Sequence, residues 1–105
     1  MEIVYNKLVR DLIPEIIEKA GKRPVYTVLN EQDCLKMLEK KLDEETAEYH
    51  ASKSVEELAD ILEVIYALAE NSGCSADELE RIRLKKAAER GSFKKRMFLQ
   101  KVVKD

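Results

Sequence analysis

Four carboxylates stand out in the amino-acid sequence by their spacing. Glu45 and Glu48 are three residues apart, and Glu57 and Asp60 repeat that interval shortly afterwards. Residues three apart on a helix are surface neighbours, so each pair aims two carboxylates at one point. Two such helices packed antiparallel bring all four together. Carboxylates crowded in this way repel one another unless positive charge sits among them. A hard divalent cation that prefers oxygen ligands answers that need, with Mg²⁺ the natural candidate and Mn²⁺ suited to the same donors.

A helical wheel separates these four from the other acids. In the segment 55–71, Leu58, Ile61, Leu62, Ile65, Leu68 and Ala69 form the expected core face. Glu56, Glu63 and Glu70 repeat every seven residues on the opposite side and read as solvated charges. Glu57 shares its side with Val64 and Leu68, and Asp60 lies beside it. In the preceding segment, Leu35, Leu38, Leu42 and Tyr49 form the apolar stripe. Glu45 lies at its edge, Glu48 just outside it near Lys41, and Glu39, Asp43 and Glu44 point elsewhere.

Simpler roles exist for the same side chains. Glu57 fits a capping box with Ser54. Glu45 and Glu48 have Lys41 and Lys53 as surface partners, each pair worth under about 1 kcal/mol. Asp60 is the hardest to explain without a ligand, being a poor helix former set mid-helix among apolar residues.

The elements that must hold these groups follow from punctuation. Asp11 is the expected N-cap of a first helix carrying Leu12, Ile13, Ile16, Ile17 and Ala20, with Pro14 in its first turn and Gly21 as its stop. Lys22-Arg23-Pro24 breaks it, and the β-formers of 25–29 predict a short strand or extended arm that could pair with the C-terminal tail. Asn30 caps a second helix over 31–51, Ser54 opens a third over 55–71, and Ser75-x-x-Glu78 opens a fourth that ends at Gly91. The result is an all-α chain: a compact four-helix bundle around a central antiparallel hairpin.

The bulk numbers narrow the function. At 105 residues the chain is one domain, residues 1–105. Nineteen basic against 21 acidic residues give a net charge of −2 and no global field for nucleic acid. No basic stripe interleaved with aromatics appears either. Cys34 and Cys74 fit no zinc spacing and read as free thiols of a reducing cytoplasm. Nothing resembles a signal peptide, and no apolar run approaches the roughly 18 residues a membrane span needs, so no membrane partner is expected. A small bundle this rich in apolar positions has few ways to cover both faces of its hairpin, and a homodimer or higher homo-oligomer follows. His50 reads as a helix-dipole partner. Tyr26, Tyr49, Tyr66 and Phe93 read as core or subunit interface.

With these residues in hand, the chain resembles the MazG-like all-α nucleoside triphosphate pyrophosphohydrolases. Among them it looks closest to the small phosphoribosyl-ATP pyrophosphohydrolase-like or house-cleaning proteins. The resemblance is carried by Glu45-Thr46-Ala47-Glu48 and Glu57-Leu58-Ala59-Asp60, by Tyr5-Asn6-Lys7-Leu8-Val9-Arg10-Asp11, and by Lys85 to Phe93. The segment between Glu48 and Glu57 is shorter than in many relatives, and Ser92 stands where a second glycine is expected.

The resemblance implies hydrolysis of the α–β phosphoanhydride of a nucleoside triphosphate, releasing a monophosphate and pyrophosphate. It implies that Glu45, Glu48, Glu57 and Asp60 hold Mg²⁺, with Glu45 or Glu48 as general base for the attacking water. Lys7 and Arg10, Lys86 and Arg90, with Arg96 beyond, are the positive groups expected to meet phosphate, and Asn6 to hydrogen-bond phosphate or base. For the basic pairs, surface pairing with Asp11, Glu15 or Glu89 is the plainer alternative. Two further readings stand beside this one: phosphoribosyl-ATP as substrate, and a helical dimerisation or nucleotide-sensing module without catalysis.

Overall fold

The computed structural model describes residues 1–104 and is helical wherever it is regular. Four helices follow in order: α1 Ile13–Lys19, α2 Glu31–Ser52, α3 Val55–Asn71 and α4 Ala76–Arg90. The expected all-α, four-helix architecture is the one observed. No strand forms among the described residues, and segment 25–29 and the tail run irregular and unpaired. The β-formers at 25–29 find no ladder partner, and propensity for strand is realised only against a neighbour.

Local chemistry sets most boundaries. Asn30 Oδ1 accepts the Asp33 N–H at 2.8 Å and starts α2. Ser54 Oγ accepts the Glu56 N–H at 3.1 Å and starts α3, while Ser75 Oγ accepts the Glu78 N–H at 3.2 Å and starts α4. Each satisfies one of the orphan donors of a helix N-terminus. α1 is the exception: its N-cap is Leu12, with no side-chain cap, rather than Asp11. Pro14 still falls in its first turn, where a missing N–H costs nothing.

α2 and α3 form the antiparallel hairpin. The link is only Lys53 and Ser54, with Lys53 in the left-handed region at φ 57° and its N–H bonded to Tyr49 O at 2.7 Å. At the far end, Asn71 Nδ2 donates to Glu31 O at 3.4 Å, joining the last residue of α3 to the first of α2. α4 packs on α3 alone, and α1 packs on none of the other helices.

The interior is thin. Leu38 on α2 and Val64 on α3 are its buried residues, at 6% and 7% exposure. The face of α3 turned to α2 is therefore the one carrying Val64. Leu58, Leu62 and Ile65, expected in the core, stay 45%, 46% and 37% exposed. Tyr26 and Phe93 are exposed as well. The radius of gyration is 18.8 Å and the longest axis 70 Å, against about 13 Å for the radius of a typical domain of this length. Arms at both ends account for the difference.

Candidate metal centre

The hairpin is a ruler. At about 1.5 Å of rise per residue, Glu45 lies roughly 12 Å before the turn and Asp60 roughly 10 Å after it. Antiparallel packing thus sets Glu45 level with Asp60, and Glu48 level with Glu57. The side chains confirm the arithmetic for three of the four. Oxygens of Glu45, Glu57 and Asp60 all lie within 4.8 Å of one another. Glu48 is exposed and its oxygens stand outside that group, close enough for its charge to act on both Glu45 and Glu57.

Glu45 is the most enclosed, its side chain 12% exposed. Lys41 Nζ approaches its Oε1 at 3.8 Å, a long i,i+4 ion pair. The expected surface pairing therefore exists, yet it leaves Glu45 Oε2 buried with no hydrogen-bond partner. Glu57 Oε2 is in the same condition. The capping role available to Glu57 is not taken up: the Ser54 N–H donates to Ser52 Oγ at 3.2 Å, and Glu57 turns toward α2. Asp60 Oδ1 accepts from Arg10 Nη2 at 2.6 Å.

This crowding raises the proton affinity of two carboxyls. Glu45 is pushed above its ordinary value first by burial, then by the Glu48 charge, with Lys41 pulling the other way and Asp60 adding to the rise. Glu57 is raised by desolvation, then by the Glu48 charge, by the close approach of the Glu45 carboxylate, and by Asp60. Burial and like charge act in the same direction here, and both disfavour the ionised form.

The donor set fits a hard divalent cation. Three carboxylates from two rigid helices converge, two of them with a buried oxygen lacking any partner, and such orphaned groups are scarce in folded proteins. Oxygen-only ligation is what Mg²⁺ and Mn²⁺ take.

The expected phosphate-binding groups divide. Arg10 reaches the site through Asp60. Asn6, Lys7, Lys86, Arg90 and Arg96 are exposed, and no hydrogen bond or ion pair ties them to the acidic group. Asn6 and Arg96 both adopt positive φ, at 47° and 55°. Arg90 instead lines a hollow of about 360 Å³, formed with Gly91, Ser92, Lys94, Lys95 and Met97 at the end of α4. His50 does lie in the last turn of α2, as a dipole partner should, with its ring 6.0 Å from that of Tyr49. Lys53 Nζ stands 5.5 Å above the Tyr49 ring, a contact the sequence did not announce. Cys34 and Cys74 are free thiols. No helix among the described residues is long and apolar enough to cross a membrane.

Comparison with known proteins places little beside the chain. No family model matches it, and no solved structure does. A 46-residue stretch is 46% identical to an uncharacterized protein of Mycolicibacterium smegmatis, covering 44% of this chain. The match takes in 47% of that protein, so the chain spans about half the length of the curated relative it resembles.

Proposed function

We propose that the protein is a Mg²⁺-dependent nucleotide pyrophosphohydrolase, cleaving a nucleoside triphosphate between its α- and β-phosphates as a house-cleaning enzyme. The observation that carries this reading is the pair of buried, partnerless carboxylate oxygens on Glu45 and Glu57, side chains that converge with Asp60. Three acids held together by a helical hairpin, with Glu45 and Glu57 kept there at the expense of their own ionisation, are better explained by a ligand than by stability.

In this reading Glu45, Glu57 and Asp60 hold the cation and Glu48 completes the set from the rim. A bound cation would supply neutralisation of phosphate charge and Lewis-acid help to hydrolysis. Glu48, exposed and beside the group, would serve as general base toward the attacking water. Glu45 is enclosed and paired with Lys41, so it serves as ligand rather than base. Arg10 sits at the edge of the site, where a planar guanidinium suits a phosphate oxygen pair. The active form is a homodimer or higher homo-oligomer, and its free thiols suit a reducing cytoplasm.

The test is incubation with Mg²⁺ and a panel of ordinary and noncanonical triphosphates, with phosphoribosyl-ATP alongside, assayed for pyrophosphate. Pyrophosphate and a monophosphate are expected, abolished in Asp60→Asn and Glu57→Gln. Orthophosphate alone, or no product from any nucleotide, overturns the reading. Faster turnover of phosphoribosyl-ATP than of every triphosphate moves the substrate to the histidine-pathway compound.

A further inference from the structure

Residues 1–29 form an N-terminal arm that makes, among the described residues, one hydrogen bond to the helical hairpin. Arg10 Nη2 donates to Asp60 Oδ1 at 2.6 Å. No backbone hydrogen bond crosses between arm and hairpin. α1 packs on no other helix, and Ile3, Val4, Tyr5 and Leu12 of the arm are exposed. The polar attachment of the arm is therefore one charged contact, beside the half-buried Leu8, Ile13 and Ile17. Its acceptor is also one of the three carboxylates that converge within 4.8 Å. A guanidinium and a divalent cation make rival claims on that side chain. At separations of a few ångströms they repel, whichever oxygen each takes.

We infer that Arg10 is a latch. It ties the arm down through Asp60, and a divalent cation entering among Glu45, Glu57 and Asp60 releases it. The inference rests on the metal reading above and adds a regulation to it: cation binding and arm attachment oppose each other, and by linkage the effect runs both ways. The strengths are ordered as a latch requires. The Arg10 and Asp60 side chains are 57% and 42% exposed, and an ion pair so open to solvent holds weakly. Three carboxylates, two of them with a buried unpartnered oxygen, attract a divalent cation with their joint charge. The freed guanidinium has five donors in a rigid fork for an incoming phosphate. Anion recruitment then follows seating of the cation rather than preceding it.

The experiment titrates the full chain with Mg²⁺ alone by calorimetry and follows limited proteolysis of the arm with and without the ion. Arg10→Ala is expected to bind Mg²⁺ about three- to fivefold more tightly than wild type. Lys19→Ala removes a charge from the same arm that pairs with Glu15 and not with the acidic group, so its affinity should match wild type. Saturating Mg²⁺ should speed cleavage of the wild-type arm, while the Arg10→Ala arm is cleaved fast throughout. Equal or weaker Mg²⁺ affinity in Arg10→Ala overturns the latch and leaves the metal reading standing. An equal gain in Lys19→Ala overturns it too, reducing the effect to general charge repulsion. A wild-type arm indifferent to Mg²⁺ overturns the release step. Absence of Mg²⁺ binding in every form overturns the metal reading and the latch together. Circular dichroism confirms that the variant's helices persist, since Arg10 lies outside them.

Discussion

Glu45 and Glu57 give the site a pH signature. Both carboxyls are raised above their ordinary value in the folded chain. Between the unfolded and folded values the native state therefore holds more protons than the unfolded one, and stability falls as pH rises through that window. The metal-free protein should accordingly melt at lower temperature as pH is raised from about 4.5 toward neutrality. Glu57→Gln, which keeps the shape and removes a charge, should flatten that slope and raise the neutral-pH melting temperature. With saturating Mg²⁺ the slope should reverse in wild type, because ligand carboxylates must be deprotonated to bind. Scanning fluorimetry across pH, with and without the ion, reads all three; a metal-free melting temperature that climbs through the window would refute the crowding. At this scale the sequence was informative but not sufficient. Spacing alone singled out the four acids. The helical wheel also set Glu48 just outside the apolar stripe, and it is the exposed one of the four. The Arg10 contact, 50 positions away from Asp60, has no local signal at all.

The helices themselves were almost fully legible, because their ends are written in short-range chemistry. Asn30, Ser54 and Ser75 cap where their types and positions said they would. Replacing Asn30 by Ala should cost about 1 kcal/mol, read as a lowered urea midpoint with an unchanged slope. α1 failed the same logic at one point. Asp11 loses the cap to a turn in which Ile13 N–H bonds Arg10 O at 3.0 Å, and the helix begins without a side-chain acceptor. The core face of α3 is narrower than its apolar pattern. Of the expected core face, Ile61, Leu68 and Ala69 are half-buried, but Leu58, Leu62 and Ile65 stay exposed, because the apolar stripe is wider than the strip that carries Val64 against α2. The two-residue turn at Lys53 decides which strip that is. A tight link leaves little rotational choice, and a residue inserted inside α3 after Glu57 would turn the rest of that helix by about 100° and carry Asp60 off its partners. One added alanine after Glu57 should therefore eliminate Mg²⁺ binding while leaving helix content nearly intact. Calorimetry and circular dichroism on the same sample would show it.

Taken whole, the chain exposes more than a closed monomer should. Its accessible surface is 10015 Å², against about 6,000 Å² for a folded chain of 12.1 kDa. Much of the difference is apolar: the Leu58, Leu62 and Ile65 row on α3, Ile82 and Leu84 on α4, and the valines, leucines and phenylalanines of both arms. Exposed apolar area on that scale marks association surfaces. Leu62→Glu should reduce a sedimenting oligomer to a 12.1 kDa species, and a wild type already sedimenting at that mass would count against self-assembly. Composition hinted at this shortage of core, but which face goes uncovered was settled by the hairpin's geometry.

In the proposed homo-oligomer, where another copy covers that oily area, stability has a concentration in it. The melting point is then expected to be no fixed property of the chain, and to climb with the amount in the tube. Thinning the solution would act on it as a mild denaturant does on a self-sufficient domain.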